Sequence, residues 1–187
     1  MNMNGMDDNE LIKGCMEGDH ECFRKIVNRY TGKAMALALN ILKNKQDAED
    51  ACQETFIQIY HNLQGFDFNK KFKDWFYAIL YHRCIDMVRK KRRFYRYLTQ
   101  KKHAGTVKQQ TSNEVHTGFK KLPRRYLQKL SAKEKTALLL WAQEEYQSKE
   151  IGEIMKCSPS TARVYLYKAR KKIKSLLEDQ NDSLQNR

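Results

Sequence analysis

The sequence predicts an all-α protein of two small helical domains joined by a flexible linker. Over most of its 187 residues, apolar side chains recur every three or four positions, and no segment shows the alternation expected of a strand. The two prolines, Pro123 and Pro159, interrupt none of these helical patterns. The periodicity stops between residues 99 and 117, where Gln, Thr and Lys are abundant. We therefore expect domains at 1–98 and 118–187 and a flexible linker at 99–117.

Capping residues and glycines divide the first domain into four predicted helices. The first helix is closed by Gly18, and Asp19 is placed to cap the second. Asp47 is expected to cap the third helix, and Gly65 lies in the loop before the fourth. The predicted helices are 8–17, 19–42 with Gly32 as a weak point, 47–63 and 72–93.

The second domain carries the start signals of a helix-turn-helix. Ser131 and Glu134 form an S-x-x-E capping box. Ser158 followed by Pro159 marks another helix start, because a Pro at the first helical position loses no hydrogen bond. The predicted helices are 122–130 with Pro123 in its first turn, 131–145, 148–155 capped by Ser148, and 158–178. The last two are joined by a tight turn at 156–157 and form the helix-turn-helix.

The last predicted helix has an apolar stripe and an opposite cationic face. The stripe consists of Ala162, Leu166, Ala169, Ile173 and Leu176. The opposite face consists of Ser160, Arg163, Val164, Tyr167, Lys168 and Lys171. This face suits the DNA major groove, where the first residues of a helix reach base edges and later cations bind phosphates. The alternative is a solvated basic helix on a structural bundle.

The helix predicted at 72–93 interleaves aromatic and basic residues. This combination binds single-stranded nucleic acid, because rings stack on bases while cations follow the backbone. The core side of the helix is formed by Trp75, Phe76 and Ile79. The functional interpretation therefore depends on Tyr77, Tyr81 and the basic run 89–93. The alternative is a core helix with a charged tail.

The helix predicted at 47–63 has an acidic side opposite its apolar stripe. The stripe consists of Cys52, Phe56, Ile59 and Leu63. The other side consists of Asp50, Gln53, Glu54, Ile57 and His61. An apolar side chain among acidic ones is typical of a protein-docking surface, so Ile57 is the predicted anchor. The alternative is a solvated face, since single exposed apolar residues are common.

The net charge of +14 predicts a polyanionic partner, because neutralising phosphates releases their counterions. Residues 1–54 carry seven basic and ten acidic side chains, a net charge of −3, which leaves +17 for residues 55–187 and favours two different partners. There is no signal peptide or membrane-length apolar run, and the five cysteines are scattered. We therefore expect a cytoplasmic protein with reduced thiols and no cofactor, metal or small-molecule substrate.

Four segments follow one another in the order GDHECFRKIVNRY, DAEDACQETFIQIY, FKDWFYAILYHRCIDMVRKKRR and LSAKEKTALLLWAQEEYQSKEIGEIMKCSPSTARVYLYKARKKI. In this order they resemble the successive segments of the extracytoplasmic-function sigma factors, which are bacterial promoter-recognition subunits that work with core RNA polymerase. The match spans both predicted domains. Four ordered motifs are more specific than any one of them alone.

The resemblance implies three binding surfaces. The acidic helix would dock on the clamp helices of the beta-prime subunit of RNA polymerase, through Asp47, Asp50, Gln53, Glu54 and Ile57. The basic-aromatic helix would recognise and help melt the minus-ten promoter element, through Tyr77, Tyr81, His82, Arg83, Asp86, Arg89, Lys90 and Arg92. The last helix would read the minus-thirty-five element, through Ser158, Ser160, Thr161, Arg163, Val164, Tyr167, Lys168 and Lys171. The resemblance also implies regulation by an anti-sigma factor, which in this family is often membrane-bound.

Three residues depart from the usual pattern of the family. His82 stands where the family usually has Asn, which leaves the base preference at the minus-ten element open. Lys156 takes the usual Gly position of the turn, where a left-handed backbone costs a Lys roughly 1 kcal/mol. Ser131 replaces a common Pro, but a capping Ser keeps that helix start.

Two other classes of protein share part of this pattern. A stand-alone helix-turn-helix repressor or activator would explain residues 118–187, but neither the basic-aromatic helix nor the acidic face. It would bind duplex DNA unaided. A DNA-processing enzyme such as a recombinase would need a catalytic motif, but the chain has no P-loop, no H-E-x-x-H and no Ser nucleophile beside a base. The carboxylates between Asp47 and Glu54 fit a helix cap and a solvated face better than a metal site, so we expect no enzyme.

Overall fold

The protein is described here by a computed structural model, which covers the backbone of residues 5–101 and 124–185 and the side chains of 5–98 and 126–178. These residues form eight α-helices, one 3-10 turn and no strand. The helices are α1 (Asp8–Met16), α2 (His20–Leu42), α3 (Lys45–Asn62), α4 (Phe72–Lys101), α5 (Arg124–Gln128), α6 (Ala132–Glu144), α7 (Ser148–Met155) and α8 (Pro159–Gln185). The predicted all-α class is confirmed.

The turn between α1 and α2 forms where its capping residues predict. Asp7 caps α1, and its carboxylate accepts a hydrogen bond from the Glu10 N–H at 2.8 Å. Gly18 then adopts a φ of +94°, which few residues other than glycine tolerate. Asp19 caps α2 by accepting from the Glu21 N–H at 2.8 Å. The chain therefore reverses within a few residues.

Two helix starts differ from the prediction. Asn44 rather than Asp47 caps α3, and its side-chain oxygen accepts from the Asp47 N–H at 2.9 Å. Both residue types cap helices well, and the sequence does not distinguish a capping Asp from one that the helix dipole stabilises in the first turn. Ser148, predicted to cap α7, is its first residue, and Gln147 occupies the cap position.

The core of the first half lies between α2, α3 and α4 and is rich in aromatic rings. The ring of Phe76 on α4 lies 4.6 Å from that of Tyr30 on α2 and 5.6 Å from that of Phe56 on α3, centroid to centroid. These distances are those of favourable aromatic pairs. Burial raises the pKa of Cys52 to about 12, so its thiol stays protonated. The predicted stripe of α3 is confirmed, with Cys52, Phe56, Ile59 and Leu63 all buried.

Helices α7 and α8 form the predicted helix-turn-helix around a close approach at Gly152. Lys156 takes the expected left-handed conformation, with a φ of 49°. Ser158 caps α8, and its hydroxyl accepts from the Thr161 N–H at 3.1 Å. The Cys157 N–H donates to the Gly152 carbonyl at 2.8 Å, and a Cβ on Gly152 would lie 2.7 Å from the Cys157 carbonyl oxygen. The turn therefore needs glycine here, which the sequence analysis did not identify.

The start of α6 is fixed to α8 through Glu134. Ser131 and Glu134 form the predicted capping box, and Glu134 also accepts from Lys172 on α8 at 2.8 Å. Burial raises the pKa of Glu134, but the bonds from Lys172 and Ser131 outweigh this and hold the pKa below its ordinary value. The predicted stripe of α8 faces this contact, with Ala162, Leu166, Ala169 and Ile173 buried and Leu176 partly buried.

The two halves of the chain pack directly against each other. Leu139, Tyr146 and Ile151 of the second half belong to the same apolar cluster as the core of α1–α4. A second cluster around Leu127 joins α5, α6 and α8. Of the linker predicted at 99–117, residues 99–101 instead extend α4, and the remainder lies outside the described residues.

Candidate nucleic-acid and protein interfaces

The outward face of α8 presents the residues predicted to bind DNA. Because Ala162, Leu166 and Ala169 are buried, Val164, Tyr167 and Lys171 point away from the bundle. Val164 is 46% exposed and Tyr167 is 64% exposed, and since they lie three positions apart they form one apolar patch on this face. The exposed residues of the predicted set are Ser158, Ser160, Arg163, Val164, Tyr167, Lys168 and Lys171, and Thr161 is half-buried.

Other cations of α8 have structural contacts. The Arg170 guanidinium stacks 4.0 Å above the Trp141 ring of α6, and the Lys172 ammonium bonds to Glu134. Arg170 and Lys172 flank the buried stripe on its two sides and reach α6 from there. Lys171 lies opposite the stripe, and Arg163 lies on the same side of the helix as Arg170.

The acidic side of α3 is exposed and carries a larger apolar patch than predicted. Ile57 is 56% exposed, and Tyr60, which the sequence analysis did not single out, is 43% exposed. Since Ile57 and Tyr60 lie three positions apart, they are neighbours on the helix surface, and this spacing was the signal that could have identified Tyr60. Asp50, Gln53 and Glu54 are exposed and Asp47 is half-buried. An apolar patch flanked by carboxylates is suited to docking a protein.

Two ion pairs join the acidic side of α3 to the basic side of α4. Glu54 pairs with Arg83, and Asp47 pairs with Lys91. The side chains of Glu54 and Arg83 are 46% and 42% exposed, so water screens their attraction. These pairs bring two predicted polymerase-docking residues next to cations of α4. The sequence analysis did not anticipate this contact.

The prediction that Tyr77 and Tyr81 present their rings to DNA is wrong for this arrangement. Tyr77 is 2% exposed and Tyr81 is 3% exposed. The Tyr77 hydroxyl donates to Glu144 at the end of α6 at 2.7 Å, and its ring lies 6.1 Å from that of Tyr146. Periodicity within one half does not predict this burial, because the face of α4 that carries these tyrosines is covered by the second half of the chain.

His82 and Arg83 are both half-buried, His82 where α4 approaches α7 and Arg83 beside α3. Burial, followed by the nearby charge of Lys156, lowers the pKa of His82, so its imidazole is mainly neutral at pH 7. The imidazole also meets the backbone carbonyl of Ile154. Within the part of the chain that the structure describes, His82 Nε2 and Arg83 Nε are buried without a hydrogen-bond partner. His82 is therefore held at the interface between the halves, whereas Arg83 is held against α3 by its pair with Glu54.

Beyond this interface, the end of α4 is cationic and aromatic. The predicted basic run 89–93 is exposed. Phe94 is 60% exposed and Tyr97 is 53% exposed, so this part of α4 presents rings among cations. The exposed members of the predicted minus-ten set are Asp86, Arg89, Lys90 and Arg92, with Arg89 paired to Asp86 at 3.1 Å.

Comparison with known proteins identifies both halves. Residues 26–94 match the family model of sigma-70 region 2, and residues 124–173 match that of sigma-70 region 4. The ECF RNA polymerase sigma factor SigW of Bacillus subtilis is 31% identical, over 90% of this chain and 95% of its own length. The chain belongs to the extracytoplasmic-function sigma factors. The corresponding factor SigM of the same organism is 28% identical, over 81% of this chain and 93% of its own.

Two solved structures share the fold of this sigma factor. CnrH in complex with the cytosolic domain of CnrY has a TM-score of 0.64 and 22% identity, covering 92% of this chain and 97% of its own. The sigma factor RpoE in complex with the anti-sigma factor NepR, from Bartonella quintana, has a TM-score of 0.66 and 20% identity, covering 83% of this chain and 96% of its own. At these identities the likeness shows the arrangement of helices alone.

Membership of this family gives the function in general terms. This sigma factor binds core RNA polymerase and directs promoter-specific initiation of transcription, and the stand-alone repressor is not favoured. The family acts as an initiation factor and not as an enzyme. Among the helices of the described residues, none has the length and hydropathy to cross a membrane.

Proposed function

We propose that the two halves of this sigma factor divide the promoter between them. Residues 1–98 dock on core polymerase and act at the minus-ten element, residues 118–187 read the minus-thirty-five element, and residues 99–117 connect the two. The docking surface is α3, which binds the beta-prime clamp helices through Asp47, Asp50, Gln53, Glu54 and Ile57. The exposure of Ile57 among carboxylates supports this assignment.

The observation that carries the proposal is the outward face of α8. Tyr167 and Val164 are exposed beside Arg163, while the opposite stripe anchors the helix in the bundle. A helix held in this way can enter the major groove without losing core contacts. Arg163 can donate two hydrogen bonds to a guanine, and the exposed lysines further along can reach phosphates. The reading residues are Ser158, Ser160, Thr161, Arg163, Val164, Tyr167, Lys168 and Lys171.

The minus-ten surface is assigned to α4. Its exposed cations, Arg89, Lys90 and Arg92, are suited to the phosphate backbone. Tyr77, Tyr81 and His82 join this surface only when the second half of the chain moves away, because that half now covers them. Arg83 joins it when its pair with Glu54 opens.

One further partner and a location follow from the family. This sigma factor acts in the cytoplasm, where RNA polymerase works, and uses no cofactor or small-molecule substrate. An anti-sigma factor regulates it, as NepR is the anti-sigma factor bound to RpoE in the solved complex. That factor is expected to be membrane-bound, as in many members of the family.

The proposal is tested by transcription with core polymerase and the full-length chain. Arg163→Ala and Tyr167→Ala should change the preferred minus-thirty-five sequence, since one base contact discriminates by about 1–3 kcal/mol. Lys171→Ala should weaken initiation evenly across promoters and reduce its salt dependence, because a phosphate contact carries no sequence information. Sequencing of transcript starts from a promoter library measures both effects.

Arg24→Ala is the matched control for Lys171→Ala. Arg24 is a cation on α2, outside the proposed surfaces; its side chain is 68% exposed and pairs with Glu21. Its removal should leave promoter strength and sequence preference unchanged. A minus-thirty-five profile that stays the same in both the Arg163 and Tyr167 variants would refute the assignment of α8.

A further inference from the structure

The end of α4 extends beyond the core of the first half. Met87 and Val88 are partly buried and pack against that core. Over residues 89–98, by contrast, all ten side chains are exposed. Lys91 still reaches α3, where it pairs with Asp47. This segment of α4 therefore presents exposed side chains on all its sides for roughly three turns.

Residues 89–98 combine many cations with large apolar side chains and contain no carboxylate. The cations are Arg89, Lys90, Lys91, Arg92, Arg93 and Arg96, and the large apolar residues are Phe94, Tyr95, Tyr97 and Leu98. Like charges three positions apart, such as Lys90 and Arg93, repel each other on a helix. Within the residues that the structure describes, Lys90, Arg92 and Arg93 have no ion pair. A bound polyanion would relieve this repulsion.

One side of this segment places two aromatic rings beside two cations. Phe94 is 60% exposed, and Tyr97, three positions later, is 53% exposed. Lys90 precedes Phe94 by four positions, and Arg93 precedes Tyr97 by four, so these side chains are neighbours on the helix surface. This group of four, here called the distal patch, lies on the opposite side of α4 from Tyr77. It is therefore accessible while the second half of the chain covers Tyr77.

Exposed rings beside cations are suited to unpaired bases rather than to a duplex. In a duplex the bases stack on one another, and a protein reaches phosphates and groove edges but no base face. In a single strand each base can stack on a ring while the neighbouring phosphates bind cations. Phe94 and Tyr97 lie about 4.5 Å apart along the helix axis, so one strand can contact both rings.

A membrane surface is the other polyanion that attracts basic helices. An interfacial helix needs an apolar face that continues along its length. Among the described side chains of this segment, the apolar ones are confined to residues 94–98, and Lys90 and Lys91 lie on the same side in the preceding turn. The composition therefore favours a nucleic acid over a lipid surface.

We propose that the distal patch is a binding site for single-stranded nucleic acid that works without core polymerase and without a promoter sequence. Stacking on Phe94 and Tyr97 selects a single strand, and Lys90 and Arg93 bind its phosphates. Since every base has a face that can stack, the site binds strands of any sequence. This site goes beyond the proposed function, because none of the promoter assignments uses Phe94, Tyr97 or Arg93.

The site is tested by fluorescence anisotropy with the full-length protein alone. The probes are fluorescein-labelled oligodeoxyuridylate and oligouridylate of about 12 nucleotides, within the usual range of single-strand sites, and a DNA duplex of the same length. We expect the single strands to bind more tightly than the duplex. The two single strands differ only in the 2′-hydroxyl, so the tighter one identifies whether the site prefers DNA or RNA.

Phe94→Ala and Tyr97→Ala should each weaken single-strand binding by about fivefold or more, since a stacked base contributes at least that factor. Both variants should keep the salt dependence of wild type. Arg93→Ala should weaken binding and also reduce its salt dependence, because a lost phosphate contact releases fewer counterions. Alanine is a good helix former, so α4 should keep its length in all three variants.

Phe68→Ala is the matched control for the ring substitutions. Phe68 is 39% exposed in the loop before α4, outside the cationic segment, and its removal should leave binding of both single strands unchanged. Wild-type affinity for the single strands in both Phe94→Ala and Tyr97→Ala would overturn the proposal. A duplex bound as tightly as the single strands would also overturn it.

Co-sedimentation with vesicles of phosphatidylcholine and phosphatidylserine tests the lipid alternative. We expect weaker binding to these vesicles than to the oligonucleotides, without dependence on Phe94. Vesicle binding that is tighter than oligonucleotide binding, and lost in Phe94→Ala, would assign the distal patch to a membrane surface and overturn the proposal.

Discussion

Ile57 and Phe56 are adjacent in the sequence and opposite in environment. Ile57 is 56% exposed on the acidic side of α3, whereas Phe56 is 8% exposed and packs against Phe76. We expect Ile57→Asp to change the free energy of unfolding by only about 0.5 kcal/mol, as surface substitutions usually do. At a desolvated interface the same change removes an anchor that is worth about 2 kcal/mol or more. Thermal melting and binding to core polymerase measure the two quantities.

Phe56→Ala provides the comparison for that prediction. Its truncation leaves a cavity between α3 and α4 and should cost about 3–5 kcal/mol of stability, with a lower melting temperature. An Ile57→Asp protein that unfolds, or that binds core polymerase as tightly as wild type, would contradict the orientation of the docking surface.

Single residues also show where prediction from sequence ends. The burial of Phe56 and the exposure of Ile57 follow from helical periodicity within one element. The burial of Tyr77 does not, because its partner Glu144 lies 67 positions away in the other half of the chain. Periodicity reports which side of a helix is apolar, and a tyrosine suits both a core and a DNA surface. The contact that decides between them is tertiary.

At the level of elements, the helix-turn-helix depends on one glycine that no start signal marks. A Cβ at Gly152 would lie 2.7 Å from the Cys157 carbonyl oxygen, which is backbone and cannot move aside without shifting the turn. We expect Gly152→Ala to destabilise the second half by about 1–3 kcal/mol, as overpacking does. Chemical denaturation of the full-length protein measures the loss.

Gly32→Ala is the control for that substitution. Gly32 lies inside α2, and nothing would come within 4 Å of a new Cβ. Alanine is the better helix former, so this variant should be more stable than wild type by about 0.5–1 kcal/mol. Equal effects of the two substitutions would mean that the turn is less crowded than described.

The elements themselves follow from the sequence more closely than their mutual packing does. The capping box at Ser131 and the Ser-Pro start of α8 gave helix starts directly, since their hydrogen bonds are local. Asp47 was misplaced because an Asp near a helix start is favourable both as a cap and inside the first turn. The extension of α4 to Lys101 was missed because polar residues can continue a helix beyond its last apolar repeat.

At the level of the whole molecule, the packing of the two halves against each other depends on pH through Glu144, which accepts from Lys73 and Tyr77 of α4. Burial raises its pKa, but the bonds from Lys73 and Tyr77, together with the charge of Lys33, outweigh burial and hold the pKa below the ordinary 4.5. A carboxyl whose pKa is lower when the halves are packed together stabilises that packing at any pH above its ordinary pKa. The stabilisation is lost as the pH falls through the lower pKa that the carboxyl has in the packed protein. The Gln147 N–H and Lys71 lower the pKa of Glu150, which acts in the same direction.

The radius of gyration should therefore increase as the pH falls below about 4.5. The Glu144→Gln protein should show a smaller change over the same range, since it lacks the principal titrating group. A wild-type protein that stays equally compact throughout the titration of its carboxyl groups would contradict this prediction. Circular dichroism at each pH distinguishes opening from loss of helix.

The apolar cluster that runs from α1 to α7 has a consequence for the lifetime of the protein. While the halves are closed, Leu139, Tyr146 and Ile151 are covered by the larger half. Once the halves separate, the second half depends for its stability on the small apolar cluster around Leu127 and on the apolar side chains that it can bury by itself. Domains of about 60 residues are only marginally stable. Proteases act on transiently unfolded chains. A molecule whose halves have separated is therefore degraded faster than one whose halves are packed together, so the architecture of the chain limits how long the separated form persists.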